Sequence, residues 1–292
     1  MTLVTVTALT LVAFAANSLL CRMALAEGQI DPVSFTTLRL TSGALALWPI
    51  ARMMGSGNRA QRSAGSWLSG FALFAYAIAF SLAYVTLNAG MGALILFGSV
   101  QVTMLAVAVR AKEPMGAAQW TGLAAAFGGL VYLVAPGISA PNPIGALLMC
   151  VAGIAWGVYS IRGKGAAAPV AMTAANFARA APMAMVATVI AFASRDLQTR
   201  GVLLALVSGV ITSGLGYVLW YQALRGLTTT QASIAQLLVP VVAAFGGVVF
   251  LAEEISTRLV VASALILGGV ALAILRRGTR GGKSTTTNAT TR

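Results

Sequence analysis

The chain has 292 residues, of which 59% are hydrophobic and only 9% charged, with 19 Lys and Arg against 6 Asp and Glu and no His. A soluble domain carries roughly a quarter charged residues, so this composition cannot cover a globule with polar surface and excludes an ordinary soluble enzyme. The formal net charge of +13 would suit nucleic acid, but its placement along the chain assigns it another role.

Apolar runs of helical length, without strand alternation, predict spans at about 3–24, 33–53, 66–87, 91–109, 115–135, 143–162, 169–192, 201–224, 230–251 and 256–275. The first run ends in Ala24-Leu25-Ala26, which imitates a signal-peptide cleavage site. It lacks a basic segment ahead of it and has a counterpart later in the chain, so it is read as helix one. Asn17 stands at mid-depth there, and helix two carries Arg39 several residues inside its span. Helix three bears an aromatic face of Tyr76, Phe80 and Tyr84, and helix four bears Ser99 and Gln101. Helix five contains Gly128-Gly129, helix six Trp156 and Tyr159, and helix seven Arg179. Helix eight contains "GYVLWYQAL", which sets Tyr217, Trp220, Tyr221 and Leu224 at spacings of three and four, with Thr212 and Ser213 just before it. Helix nine carries Gln236 and Pro240, and helix ten Gly268-Gly269. The segment 278–292 is low in complexity and reads as a disordered basic tail.

Basic residues cluster in alternate loops: Arg52, Arg59 and Arg62, then Arg110 and Lys112, Arg162 and Lys164, Arg225, and the tail from Arg276. Basic loops mark the cytoplasmic side. The expected topology is therefore an inner (plasma) membrane protein of bacterial type with both termini cytoplasmic, and no nucleic-acid partner. Cys21 and Cys150 are read as free core thiols, and no metal or cofactor is implied.

A shift of the chain by 140 residues, without a gap, aligns Arg22 with Arg162, Arg39 with Arg179, Ala83 with Ala223, Leu87 with Leu227, Glu113 with Glu253 and Gly128-Gly129 with Gly268-Gly269. Coincidence among Ala and Val is cheap in such a sequence; coincidence among scarce Arg, Glu and paired Gly is not. The chain thus divides into five-helix units at 1–140 and 141–277. An odd number of helices per unit inverts the second relative to the first. Inverted repeats accompany alternating-access transport, with a substrate site near mid-depth where the units meet.

Each unit has an aromatic-rich third helix and a Glu closing the fourth, in "RAKEP" and "FLAEE". Each also has a Gly pair in its fifth, in "AAAFGGLVYLV" and "LILGGVALAIL". The pattern resembles the EamA unit of the drug/metabolite transporter superfamily and, within it, the YddG-type exporters of aromatic amino acids. One departure is that Pro240 in helix nine has Val100 as its counterpart. The resemblance implies a cavity lined by helices one, three, four, six, eight and nine.

Candidate substrate-binding residues are therefore Asn17, Tyr76, Phe80, Tyr84, Ser99, Gln101, Trp156, Tyr159, Ser213, Tyr217 and Trp220. Intramembrane polar groups face protein or water, and each of these has the alternative role of an ordinary interhelical hydrogen bond. Tyr221 is assigned mainly to an interfacial belt or an inner gate. Arg39 and Arg179 recur in both units, which favours a structural role over a substrate contact. Glu113 and Glu253 are read as solvated helix-end contacts, and the Gly pairs as packing surfaces. No group of residues supplies a nucleophile with a base, so the chain is not expected to be an enzyme. The expected function is export of small amphipathic metabolites, foremost aromatic or other neutral amino acids, as a facilitator acting across a lipid bilayer. The alternatives are an antiporter of lipophilic drugs and, behind it, a membrane-embedded lipid enzyme or a channel. Oligomeric state is left open.

Overall fold

The computed structural model describes residues 2–53, 65–110, 116–137, 140–163, 166–191, 197–227 and 235–275. Glu113, Asp196, Arg59, Arg62, Lys112, Lys164, Arg195, Ser139 and the tail lie outside the described residues. Among the described residues the regular structure is all helical. In chain order the helices are α1 (Leu3–Ala26), α2 (Pro32–Met53), α3 (Trp67–Tyr84), α4 (Ala89–Arg110) and α5 (Ala117–Val134). There follow α6 (Pro143–Gly163), α7 (Pro169–Ile190), α8 (Thr199–Gly226), α9 (Leu238–Leu251) and α10 (Thr257–Leu275).

Four of these, α1, α3, α6 and α8, are long and apolar enough by length and composition to cross a membrane, and α4, α5, α9 and α10 contain shorter apolar stretches. The bundle is apolar outside as well as inside: Leu45, Ile144, Val189, Phe245 and Phe250 are largely exposed. Its buried polar residues, by contrast, gather in the interior, among them Asn17, Arg39, Ser208, Thr212 and Ser213. Such a surface suits lipid, and such an interior is the place where lipid-embedded chains satisfy polar groups. The protein is a multi-pass membrane protein.

Local chemistry fixes the helix ends. Ser66 caps α3 by accepting from the Ser69 N–H, and Asn142 caps α6 by accepting from the Gly145 N–H at 3.0 Å. The Asp31 carboxylate accepts the Val33 and Ser34 N–H groups at the start of α2. α9 stops at Ala252, which takes the left-handed conformation (φ 51°) and turns the chain so that Glu253 points back into the bundle.

α5 packs on α10, α2 on α7 and α4 on α9. α1 packs on α8 and α9, while α6 packs on α3 and α4; α2 meets α3 and α8, while α7 meets α8 and α3. The glycine pairs are only half used in packing. Added carbon at Gly129 would press on Leu265 and Ile266, and at Gly269 on the Gly122 and Ala126 backbone, whereas Gly128 and Gly268 have nothing within 4 Å.

α8 departs from the regular span expected for it. Residues Ser208–Leu215 form a π-helical segment between two α-helical ones. Gly209 lies there against the Arg39 carbonyl and Ser42, and Gly214 approaches Gly43. The absence of side chains at these contacts lets α8 and α2 come together backbone to backbone. π segments interrupt the regular hydrogen-bond register and frequently occur at functional sites.

Candidate functional site

The π segment of α8 turns Ser208, Thr212 and Ser213 toward one atom of α1. The Asn17 Oδ1 accepts from the Ser208 hydroxyl at 2.7 Å and the Thr212 hydroxyl at 3.0 Å, with Ser213 Oγ at 3.5 Å. On its other side the Asn17 Nδ2 faces the Tyr76 hydroxyl at 3.5 Å. A regular helix would spread three hydroxyls at 208, 212 and 213 round a wider arc.

Arg39 closes the network from α2. Its Nε donates to the Ser213 Oγ at 2.9 Å, and its Nη2 donates to the hydroxyls of Tyr76 at 3.0 Å and Tyr217 at 3.2 Å. The guanidinium carbon lies 5.2 Å from the Tyr76 ring centre and 5.1 Å from that of Phe80, within cation–π range. Arg39 is 1% exposed, and no carboxylate among the described residues pairs with it.

Against this network stands a cluster of rings from five helices. Trp156 of α6 is its hub, with ring centres 5.0 Å from Tyr76, 4.8 Å from Tyr217, 5.8 Å from Phe14 and 5.5 Å from Tyr159. Phe14 continues to Trp220 at 5.7 Å and to Phe97 at 6.5 Å. These separations fit offset and edge-on aromatic pairing. The Trp156 Nε1 and the Gln101 Nε2 are buried without a hydrogen-bond partner. An unpartnered buried donor is costly, so the Trp156 indole N–H amid these rings points to a group that completes it.

The expected residues are not all equivalent. Asn17, Tyr76, Phe80, Trp156, Tyr159, Ser213, Tyr217 and Trp220 share this network or its rings. Tyr84 sits one step away, edge-on to Phe80 at 4.7 Å, and its hydroxyl donates to the Ala89 carbonyl at 3.3 Å, next to Gly92. Ser99 is buried where α4 meets Gly153 of α6. Gln101 is buried on the same helix. The residues not foreseen are Phe14, Phe97 and Phe177, all buried, the last 5.8 Å from Tyr217. Phe14 lies three residues before Asn17, on the same helical face, which is the signal that could have found it.

Three expectations need correction. Tyr221 does not stand in an interfacial belt, and of its two expected roles only the inner gate is left: it is 4% exposed, with its hydroxyl packed against Gly163 at the end of α6. Glu253 is not a solvated helix-end group. Its carboxylate accepts the Ala89 N–H with both oxygens, at 3.0 and 2.9 Å, and meets the Arg22 Nε at 3.4 Å. It thereby caps the start of α4 from the end of α9, while Arg22 also donates to the Tyr84 and Val85 carbonyls. Burial pushes the Glu253 carboxyl above its usual range, outweighing the Ala89 N–H and the Arg22 charge, which pull the other way. Third, Arg39 and Arg179 do not play one repeated role. Arg179 is only partly buried, donates to the Ala175 carbonyl of its own helix at 2.8 Å and lies over the Trp67 ring. Arg39, by contrast, is 1% exposed.

A cavity of about 280 Å³ lies away from the rings, at the bundle end that holds Glu253, between Thr86, Asn88, Met91, Asn142, Ala244 and Glu253. The central cluster is the better candidate for a site, because unpartnered donors converge there and the cavity is built around a carboxylate that is already satisfied.

Comparison with known proteins agrees with this architecture. Residues 143–275 match the EamA-like transporter family. An uncharacterized protein of Pseudomonas aeruginosa is 46% identical over 271 residues, which is 93% of this chain and 94% of that one. An uncharacterized transporter of Archaeoglobus fulgidus is 26% identical, over 71% of this chain and 75% of its own. The uncharacterized transporter YoaV of Bacillus subtilis is also 26% identical, over 54% of this chain and 57% of its own. A crystal structure, 21% identical, superposes with a TM-score of 0.69 over 94% of this chain and 99% of its own, which is a likeness of fold. With a polar, ring-lined interior inside an apolar helical bundle, the chain carries an EamA-like transporter domain at residues 143–275.

Proposed function

We propose that this protein exports small amphipathic metabolites, foremost aromatic or other neutral amino acids, by alternating access between two inverted five-helix units. The observation that carries the reading is the Trp156 cluster. Rings from α1, α3 and α8 surround Trp156 of α6, whose buried indole N–H has no partner among the described residues. A planar or apolar side chain would pack among those rings, and the polar end of the same molecule would complete that donor.

The inverted arrangement is supported by the packing. Exchange of the units swaps α1 with α6, α2 with α7, α3 with α8, α4 with α9 and α5 with α10. That exchange turns the α1–α8 contact into α6–α3, the α1–α9 contact into α6–α4, and the α2–α8 contact into α7–α3. The α5–α10, α2–α7 and α4–α9 contacts map onto themselves. In this frame the Arg22–Glu253–Ala89 contact closes one end of the site, and opening that end requires it to part. The protein works as a facilitator on this reading, because no carboxylate among the described residues joins the central network and the chain has no His.

The test is transport in liposomes. Aromatic and neutral amino acids should exchange across the membrane with saturation and trans-stimulation, and lipophilic cations should not compete. Competition by such cations with no amino acid flux would favour the drug-antiporter alternative.

A further inference from the structure

Arg39 poses a problem that the hydrogen bonds around it leave unsolved. A guanidinium cannot lose its proton in a protein, so this residue is a fixed positive charge in the middle of the bundle. Burial of a charge is expensive unless it is paired, yet its partners are three neutral hydroxyls and two ring faces. Its Nη1 is buried and has no hydrogen-bond partner. The counterpart Arg179, at the same place in the other unit, sits differently. It bonds a carbonyl of its own helix and is only partly buried.

The surroundings share the same one-sided chemistry. The Tyr76 and Tyr217 oxygens each accept from Arg39 and the two hydroxyls bond each other, which leaves one of their protons to donate elsewhere. The Asn17 Oδ1, an acceptor, is already occupied by Ser208 and Thr212. The Trp156 Nε1, whose ring meets those of Tyr76 and Tyr217, adds a buried donor without a partner among the described residues. The centre thus offers surplus N–H and O–H groups, a fixed positive charge and no paired acid. A carboxylate answers all three: two oxygens with about four acceptor positions and one negative charge. An ammonium answers none and would be repelled.

We propose that Arg39 anchors the carboxylate of the transported molecule, so that the site requires an acid group on a ring-bearing ligand and does not require an amino group. This rests on the reading of the ring cluster as the transport site. Arg39 holds the Tyr76 and Tyr217 hydroxyls in place around the acid, and Trp156 packs against the ring of the ligand.

The experiment is competition in liposomes containing the full chain, with labelled L-tryptophan as the reporter. Three unlabelled compounds are compared: L-tryptophan, indole-3-propionate (acid without amine) and tryptamine (amine without acid). The expected result is that indole-3-propionate competes within about threefold of tryptophan while tryptamine is weaker by about tenfold or more, the usual range for loss of a charge-assisted pair. Arg39→Gln should collapse that ratio toward one, and Arg39→Lys should keep part of it. The wild-type comparison stands even if Arg39→Gln fails to fold. Tryptamine competing as well as indole-3-propionate would overturn the anchor while leaving an amino acid transporter in place. No uptake of tryptophan, and no binding of any of the three in a thermal-shift assay, would overturn both readings together.

Discussion

At the scale of single residues, the buried indole N–H of Trp156 matters more than its contacts. Leaving a buried donor without a partner costs about 1–3 kcal/mol, and Gln101 repeats that cost. Trp156→Ala and Gln101→Ala should lower transport by about tenfold or more while folded protein is still recovered, since each removes a group that a ligand completes. Cys150→Ser, outside the cluster and only half buried, should transport as wild type. Glu253 gives a second, pH-dependent prediction. Its carboxyl is raised from the usual 4.5, so the folded state holds its proton more tightly than the unfolded chain does. Stability then falls as pH rises from about 4.5 through the raised value, and Glu253→Gln should flatten that slope in a thermal melt. A slope unchanged in the variant would assign it to another group. The rings Tyr76, Phe80, Tyr217 and Trp220 were legible because each falls at a helical spacing from a polar-tipped ring on its own helix. Phe14, Phe97 and Phe177 were not, since a Phe in an apolar helix carries no polar mark. The hydroxyl partners of Arg39 were not legible, since recurrence at Arg179 says nothing about what each side chain finds to bond.

At the scale of elements, the glycines divide into those that hold helices together and those that do not. Gly269→Ala should cost about 1–3 kcal/mol by pressing α10 into the α5 backbone. Gly268→Ala, in open space, should be neutral or should gain up to about 1 kcal/mol from helix propensity. A thermal melt of the two variants separates them, and equal melts would contradict the packing. Helix existence was legible throughout from apolar runs, because burial in lipid rewards the same residue types at every turn. The π segment was not, because hydropathy carries no information on hydrogen-bond register. The cue lay in the Gly and hydroxyl content of "SGVITSGLG" at 208–216, where small residues permit close approach to α2 and polar ones then find Asn17 and Arg39.

At the scale of the whole molecule, the gapless shift of 140 residues proposes a repeat, and the exchange of helix contacts is the pairing such a repeat would give. The end closed by Arg22 and Glu253 was less legible, since Arg162, the counterpart of Arg22, donates instead to Ser69 and Ser66. Sequence symmetry cannot show which end a given conformation closes. Orientation has its own check. In a background without Cys21 and Cys150, a thiol at Ser139 should react with an impermeant reagent added outside the cell, and one at Ser284 should not; the reverse pattern would invert the topology.

The central claim is a ring-lined site that moves substrate down its own gradient. Its most direct test is tryptophan flux in liposomes under imposed substrate and pH gradients. Flux should follow the substrate gradient in either direction, ignore the pH difference, and fall with Trp156→Ala. Accumulation of tryptophan against its gradient, powered by the pH difference, would contradict the account and place a titratable group, Glu253 foremost, in the transport cycle.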